Sequence, residues 1–139
     1  MATSTIPTLK ANLVTRLQAR AGLNGVQVSY GPPLPAPSRE LIWCGVAKGQ
    51  QDWQAMAVKG EQYDLELVIS VRREGENMQA ADERCFTIYA EVENEVRADK
   101  TVNGAVRQAS ITGFELGEFV TDSMREATLT VQLECQAEI

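Results

Sequence analysis

Residues 62–73, QYDLELVISVRR, constrain the fold more than any other stretch. Tyr63, Leu65, Leu67, Ile69 and Val71 alternate with Gln62, Asp64, Glu66, Ser70 and Arg72, and only Val68 breaks the period of two. Such alternation gives an extended chain one apolar and one polar face. Twelve residues at about 3.3 Å each span roughly 40 Å, about twice the usual strand length. A domain of this size has a radius of gyration of only about 14 Å. The strand is therefore expected to cross the full width of the fold, with an end free to project, which suggests an assembly part.

A second stretch repeats the pattern. Ala127, Leu129, Val131, Leu133, Cys135 and Ala137 alternate with Thr128, Thr130, Gln132, Glu134 and Gln136. Two long strands with one polar face each imply a largely antiparallel sheet, covered on its apolar side and open on the other. Two helices can supply the cover. In residues 5–21, Leu9, Leu13, Leu17 and Ala21 recur every fourth position with Val14 beside them, and Lys10, Asn12, Arg16 and Arg20 lie opposite. Thr5 is the expected N-cap, Pro7 sits in the first turn, and Gly22 suits the left-handed position after the end. In residues 77–99, Met78, Ala81, Cys85, Ile88 and Val92 step by three and four, joined by Tyr89 and Val96, with Phe86 at the flank. Asn77 is the expected cap. Asp82, Glu83, Glu91, Glu93 and Glu95 are expected to face solvent, while Arg97 and Lys100 complement the helix dipole.

The remaining segments are shorter. Val26 to Tyr30 reads as a strand after the Asn24-Gly25 turn. GPPLPAPS follows, with four prolines from Pro32 to Pro37, and is expected to be a stiff surface loop. It is either a plain connector or a pre-ordered arm that docks on a neighbouring subunit with little entropy loss. Residues 39–46 and 51–58 read as two strands joined around Lys48-Gly49, each with a tryptophan expected to be a sheet or core residue rather than a ligand platform, and whose exposure would mark an interface. Residues 105–114 form a weaker strand, which Phe119 and Val120 extend after a bulge. The expected architecture is a single α+β domain over residues 1–139, a mainly antiparallel, mixed β-sheet with two helices packed on one face.

Composition narrows the chemistry. There is no histidine, which removes Ser/His/Asp and Cys/His nucleophile arrangements and the commonest metal ligand. Cys44, Cys85 and Cys135 are widely spaced and sit within expected elements, as small buried hydrophobes do; no CxxC pair or phosphate-binding glycine loop occurs. A net charge of -6 argues against nonspecific attraction to nucleic acid or anionic membrane. The amino terminus lacks the apolar core of a signal peptide and no 18-residue apolar run exists, so the chain is expected to stay in the cytoplasm in which it is made. No catalytic residue, cofactor or metal is expected. The remaining enzymatic or ligand-binding alternative would use carboxylates, Lys48 or Lys59, and demands a deep pocket with strongly shifted pKa values.

The element order, together with IPTLKANLVTRLQARAGLNGVQVSYGPP, ELIWCG, EQYDLELVISVRREGENMQAADERCFTIYAEVENEVRAD and the closing LTVQLECQAEI, resembles the tail terminator proteins of long-tailed bacteriophages. The resemblance covers nearly the whole chain and has no catalytic motif; nothing specific is recognised in residues 110–126. It implies a small α/β subunit that closes into a six-membered ring on the finished tail tube. Such a ring stops tube polymerisation and offers a surface to the head-tail connector, at the head-proximal end of the virion tail. A head-completion or connector subunit of the phage neck is the neighbouring alternative. The candidate contacts with other subunits and partners are Tyr30, Pro32, Pro33, Leu34 and Pro35 in the loop and Arg72, Arg73 and Glu74 at the strand's end. Asp64, Glu66, Gln132 and Glu134 are candidates to face the channel, where their charge would let DNA pass without sticking.

Overall fold

In the computed structural model, which describes residues 3–33, 39–75, 77–121 and 123–139, the alternating stretch is the middle strand of a five-stranded sheet. The elements in chain order are α1 (Ile6–Ala19), a 3-10 turn (Ala21–Leu23), β1 (Gln27–Ser29), β2 (Glu40–Ala55), β3 (Val58–Glu74), α2 (Met78–Ala98), β4 (Gln108–Thr121) and β5 (Met124–Glu138). The sheet order is β1-β2-β3-β5-β4. β1 runs parallel to β2, and every other pair is antiparallel. This is the expected α+β class with a mixed sheet.

β3 is longer than its alternation predicts, at 17 residues, and pairs with β5 without a break from Gly60↔Glu138 to Glu74↔Met124. The two strands expected at 39–46 and 51–58 are one 16-residue strand, β2, and Val58 belongs to β3. Lys48 and Gly49 therefore lie within a strand, paired with Asp64 and Tyr63. The chain turns back at Met56 and Ala57 instead, with Ala57 at a left-handed φ of 66°. A bulge between Cys44 and Ala47 bends β2, because Gly45 and Val46 have no register partner on β3. β4 is likewise one continuous strand, beginning at Gln108 rather than 105, with its bulge between Ile111 and Gly113.

Both helices pack on the same side of the sheet. Tyr63, Leu65, Leu67, Ile69 and Val71 of β3 and Ala127, Leu129, Val131, Leu133 and Cys135 of β5 are at most 2% exposed. Leu9, Leu13 and Leu17 of α1 and Ala81, Cys85, Ile88, Val92 and Val96 of α2 join them in one core. All three cysteines are buried. Burial pushes the thiols up, to about 11 for Cys44 and about 12 for Cys85 and Cys135.

Both ends of α1 depart from expectation, and the start of α2 does not. Asn77 caps α2 as expected, its Oδ1 accepting from the Ala80 N–H at 2.9 Å. Thr5 does not cap α1 through its side chain. Its N–H and hydroxyl both donate to Glu61 Oε1, at 2.8 and 2.7 Å. Gly22 lies in the 3-10 turn, since α1 ends at Ala19 and Arg20 is already extended. The Glu91 carboxylate occupies the space that a Cβ on Gly22 would need. Glu91 and Glu95 are consequently half-buried rather than solvated. With Asp99 they pair with Arg16 and Arg20 and lash α1 to α2.

Candidate assembly surfaces

The face of the sheet away from the helices follows from strand parity. Register places Lys48, Asp64 and Glu134 side by side across β2, β3 and β5, with Glu66 beside Gln132 one step along. The four residues expected to share a polar face are thus brought together. Asp64 and Gln132 are exposed, and Glu66 and Glu134 half-buried. Asp64 and Glu134 are direct cross-strand partners of like charge, an arrangement that costs a sheet a few tenths of a kcal/mol to about 1 kcal/mol. The opening is not complete. Leu41 and Ser70, cross-strand partners on this same face, are 2% and 1% exposed, with the Ser70 hydroxyl donating to Glu126 Oε1 at 2.9 Å.

Arg72, Arg73 and Glu74 stand at the far end of β3, and each is tied within the chain. Arg72 pairs with Glu126 at 3.3 Å, Arg73 with Glu40 at 2.9 Å, and Glu74 with Arg39 at 2.6 Å. Glu40 also receives Arg84 of α2 at 2.9 and 3.1 Å. The Arg84 hydrogen bonds, helped by Arg73, hold the Glu40 carboxyl below the usual range against the opposing effect of burial. Arg39 lies on the return from the proline loop, so the loop's exit and the strand's end meet through Arg39 and Glu74. At the loop's entry, Tyr30 is 45% exposed and the Lys10 ammonium stands 4.0 Å from its ring centre. Pro32 is exposed and Pro33 half-buried. Leu34 and Pro35 lie outside the described residues.

Two further surfaces lie apart from the contacts expected in the loop and at the end of β3. At the β2–β3 hairpin Trp53, expected to be a sheet or core residue, is 72% exposed because this end of the sheet is not covered, and Met56 is 97% exposed. Trp53 shares its parity with Gln51 and the buried Glu61, but this end of the sheet extends past the helices. At the opposite edge, Phe114 of β4 meets Phe86 and Tyr89 of α2, each at 5.7 Å between ring centres. Phe119 and Val120 of β4 are also exposed. The unbroken length of β2 and β4, which appears only in the structure, outruns what two helices can cover.

An open cleft of 540 Å³ lies between the amino-terminal segment and the β2–β3 hairpin, lined by Thr3, Ser4, Ile6, Gln51, Glu61 and Tyr63 among others. Its one strongly engaged acid is Glu61. Burial works to raise that carboxyl, but hydrogen bonds from Ser4, Thr5 and Gln51 outweigh it and hold the group below its usual range. These bonds anchor the start of α1 to the sheet, a structural duty. Among the described residues no group of three or more His, Cys, Asp or Glu is placed to hold a metal ion. No described helix is long and apolar enough to cross a membrane.

No family of known proteins matches the sequence, and no curated protein matches it. A search by structure does find likenesses. One is a chain from the virion of a native gene transfer agent particle, with a TM-score of 0.54 and 14% sequence identity over 98% of this chain and 100% of that one. At this identity the two share a fold, end to end.

Proposed function

We propose that the chain is a structural virion protein of the tail terminator type. It caps the tail tube as a ring of six, stops polymerisation, and offers the ring's other side to the head-tail connector. The observation that carries this reading is the whole-length fold likeness to a component of a virion particle. The expected element order supports it, as does a sheet whose polar face stays largely uncovered within the subunit. In this reading the protein is not an enzyme, and it resides at the head-proximal end of the tail.

Asp64, Glu66, Gln132 and Glu134 line the ring's channel and keep DNA phosphates from adhering during passage. Tyr30, Pro32 and the rest of the proline loop, with the Arg72–Glu74 end, meet neighbouring subunits or the tube. The experiment adds purified protein to growing tail tubes and images their lengths. Arrested tubes bearing a terminal ring support the reading. Tubes that keep lengthening while the protein binds isolated heads would reassign it to the neck. A ring structure with the four acidic-face residues on its outer wall would end the channel assignment.

A further inference from the structure

The sheet ends in two free edges, and they are different. On one side, β1 covers β2 only at Leu41–Trp43, so residues 44–55 have no outer neighbour among the described residues. On the other, β4 has none along all 14 residues. Long exposed edges are normally blunted by proline, lysine or a covering element. β4 contains neither proline nor lysine. Among the described residues, seven of the nine exposed large hydrophobics lie on these two strands or at the hairpin between β2 and β3: Val46, Trp53, Met56 and Val58 at one edge, Phe114, Phe119 and Val120 at the other.

We infer that the free half of β2 in one copy pairs with β4 of the next copy, antiparallel, so that the sheets of successive subunits run on into one another. The inference rests on the ring reading above and names its contact. β2 and β5 run in one direction, and β3 and β4 in the other. Copies that share one strand sense, as around a ring, therefore present β4 to β2 with opposite polarity, the better-bonded arrangement. The open faces of all copies then fall on the same side. Because the joined edges differ, the contact is heterologous, and it closes into a ring when the rotation fits.

Register and charge agree with this occupant. β1 blocks the first residues of β2, so the incoming β4 must slide toward the β2–β3 hairpin. In the register that sets Glu115 of the neighbour opposite Gln50, Lys48 is its diagonal neighbour on the open face, and Phe114, opposite Gln51, is diagonal to Trp53 on the helix face. β4 carries two acids, Glu115 and Glu118, and no base, while residues 44–55 carry Lys48 and, nearer the hairpin, Asp52, so Lys48 is the group that an incoming Glu115 complements.

The test blocks each edge where the subunit itself is least disturbed. Val46 and Thr112 are exposed bulge residues without a register partner inside the chain, and bulges tolerate proline. Val46→Pro and Thr112→Pro should each weaken self-association about tenfold or more, the effect of losing one or two hydrogen bonds. Mixed, they should form a one-to-one dimer and nothing larger, because one good β2 edge meets one good β4 edge. Sedimentation reads the masses and circular dichroism verifies folding. If either proline variant unfolds, Lys48→Glu and Glu115→Lys replace them. Each should weaken assembly about fivefold, and a mixture should recover it. Variants that assemble like the wild type overturn the edge pairing and leave the ring reading standing. Wild-type protein that stays monomeric both in concentrated solution and on tube ends overturns both.

Discussion

The two faces of β3 are made by the same backbone, residue by residue, yet they follow different rules. Toward the helices, Tyr63 to Val71 bury five side chains that are at most 2% exposed. Toward the other side, Gln62 and Asp64 stay exposed, Glu66 and Val68 are half-buried, and burial returns only at Ser70. The first face contributes roughly 1.5–3 kcal/mol for each large apolar side chain removed from water. The second places Asp64 directly against Glu134, a pairing that works against the sheet. One face has been shaped by stability. The other tolerates a cost to stability, which the proposed channel role would account for.

The largest effect should come from breaking the covered face. Leu65→Ala is expected to cost about 2–5 kcal/mol by the cavity it leaves, whereas its neighbour Asp64→Ala should stay within about 0.5 kcal/mol. Urea denaturation of both variants measures this; equal losses would mean that the open face is not open. Next in size is the rim where α2 meets the sheet. Glu40→Gln removes the charge that Arg73 and Arg84 share and should cost about 1–2 kcal/mol, whereas Glu74→Gln, in a far more exposed pair, should cost less than about 1 kcal/mol.

Acid should act on this rim and, at the other end of α2, on the turn that follows the helix. Glu40 and Asp99 both have folded-state pKa values below their ordinary ones. Their stabilising effect is therefore complete above the ordinary carboxylate range and is lost as pH falls through the folded values. For Asp99 the Thr101 hydroxyl and the backbone N–H groups of Asn103 and Thr101 bring the carboxyl to about 2. Its share should vanish between about pH 4 and about pH 2. Asp99 holds a turn in which Val102 and Asn103 take left-handed φ values of 49° and 57°, so Asp99→Asn should melt earlier at pH 7 and lose less of its stability on acidification. The smallest effect has the opposite sign. Glu134→Gln relieves the like-charge pair on the open face and should raise stability by a few tenths of a kcal/mol. A loss instead would mean that the Gln62 hydrogen bond to Glu134 outweighs the like-charge pair with Asp64.

Much of the fold was legible because side-chain periodicity is local. Period two exposed β3 and β5, period three-to-four exposed α1 and α2, and Asn77 marked a cap that the structure uses. The polar row Asp64, Glu66, Gln132 and Glu134 followed from the same alternation and does come together. Reading failed where a residue's usual meaning was overridden by its neighbour in space. Gly49 looked like a turn, but it sits inside β2 because Tyr63 of β3 presses so close that any Cβ there would meet the Tyr63 Cβ and the Gln62 carbonyl. Thr5 looked like a cap, but Glu61, fifty-six residues away, is what its N–H and hydroxyl bind. Glu91 and Glu95 looked solvated until the arginines of α1 came beside them.

What the chain alone determined, then, is which residues lie inside each element and which side of it is apolar, since both depend on spacing within a few residues. Strand order, the continuity of β2 across a glycine, and the two unlike free edges were decided only in the tertiary structure. An edge is free because of where the other strands went, and that depends on pairings between residues as distant as Arg72 and Glu126, which no local pattern encodes.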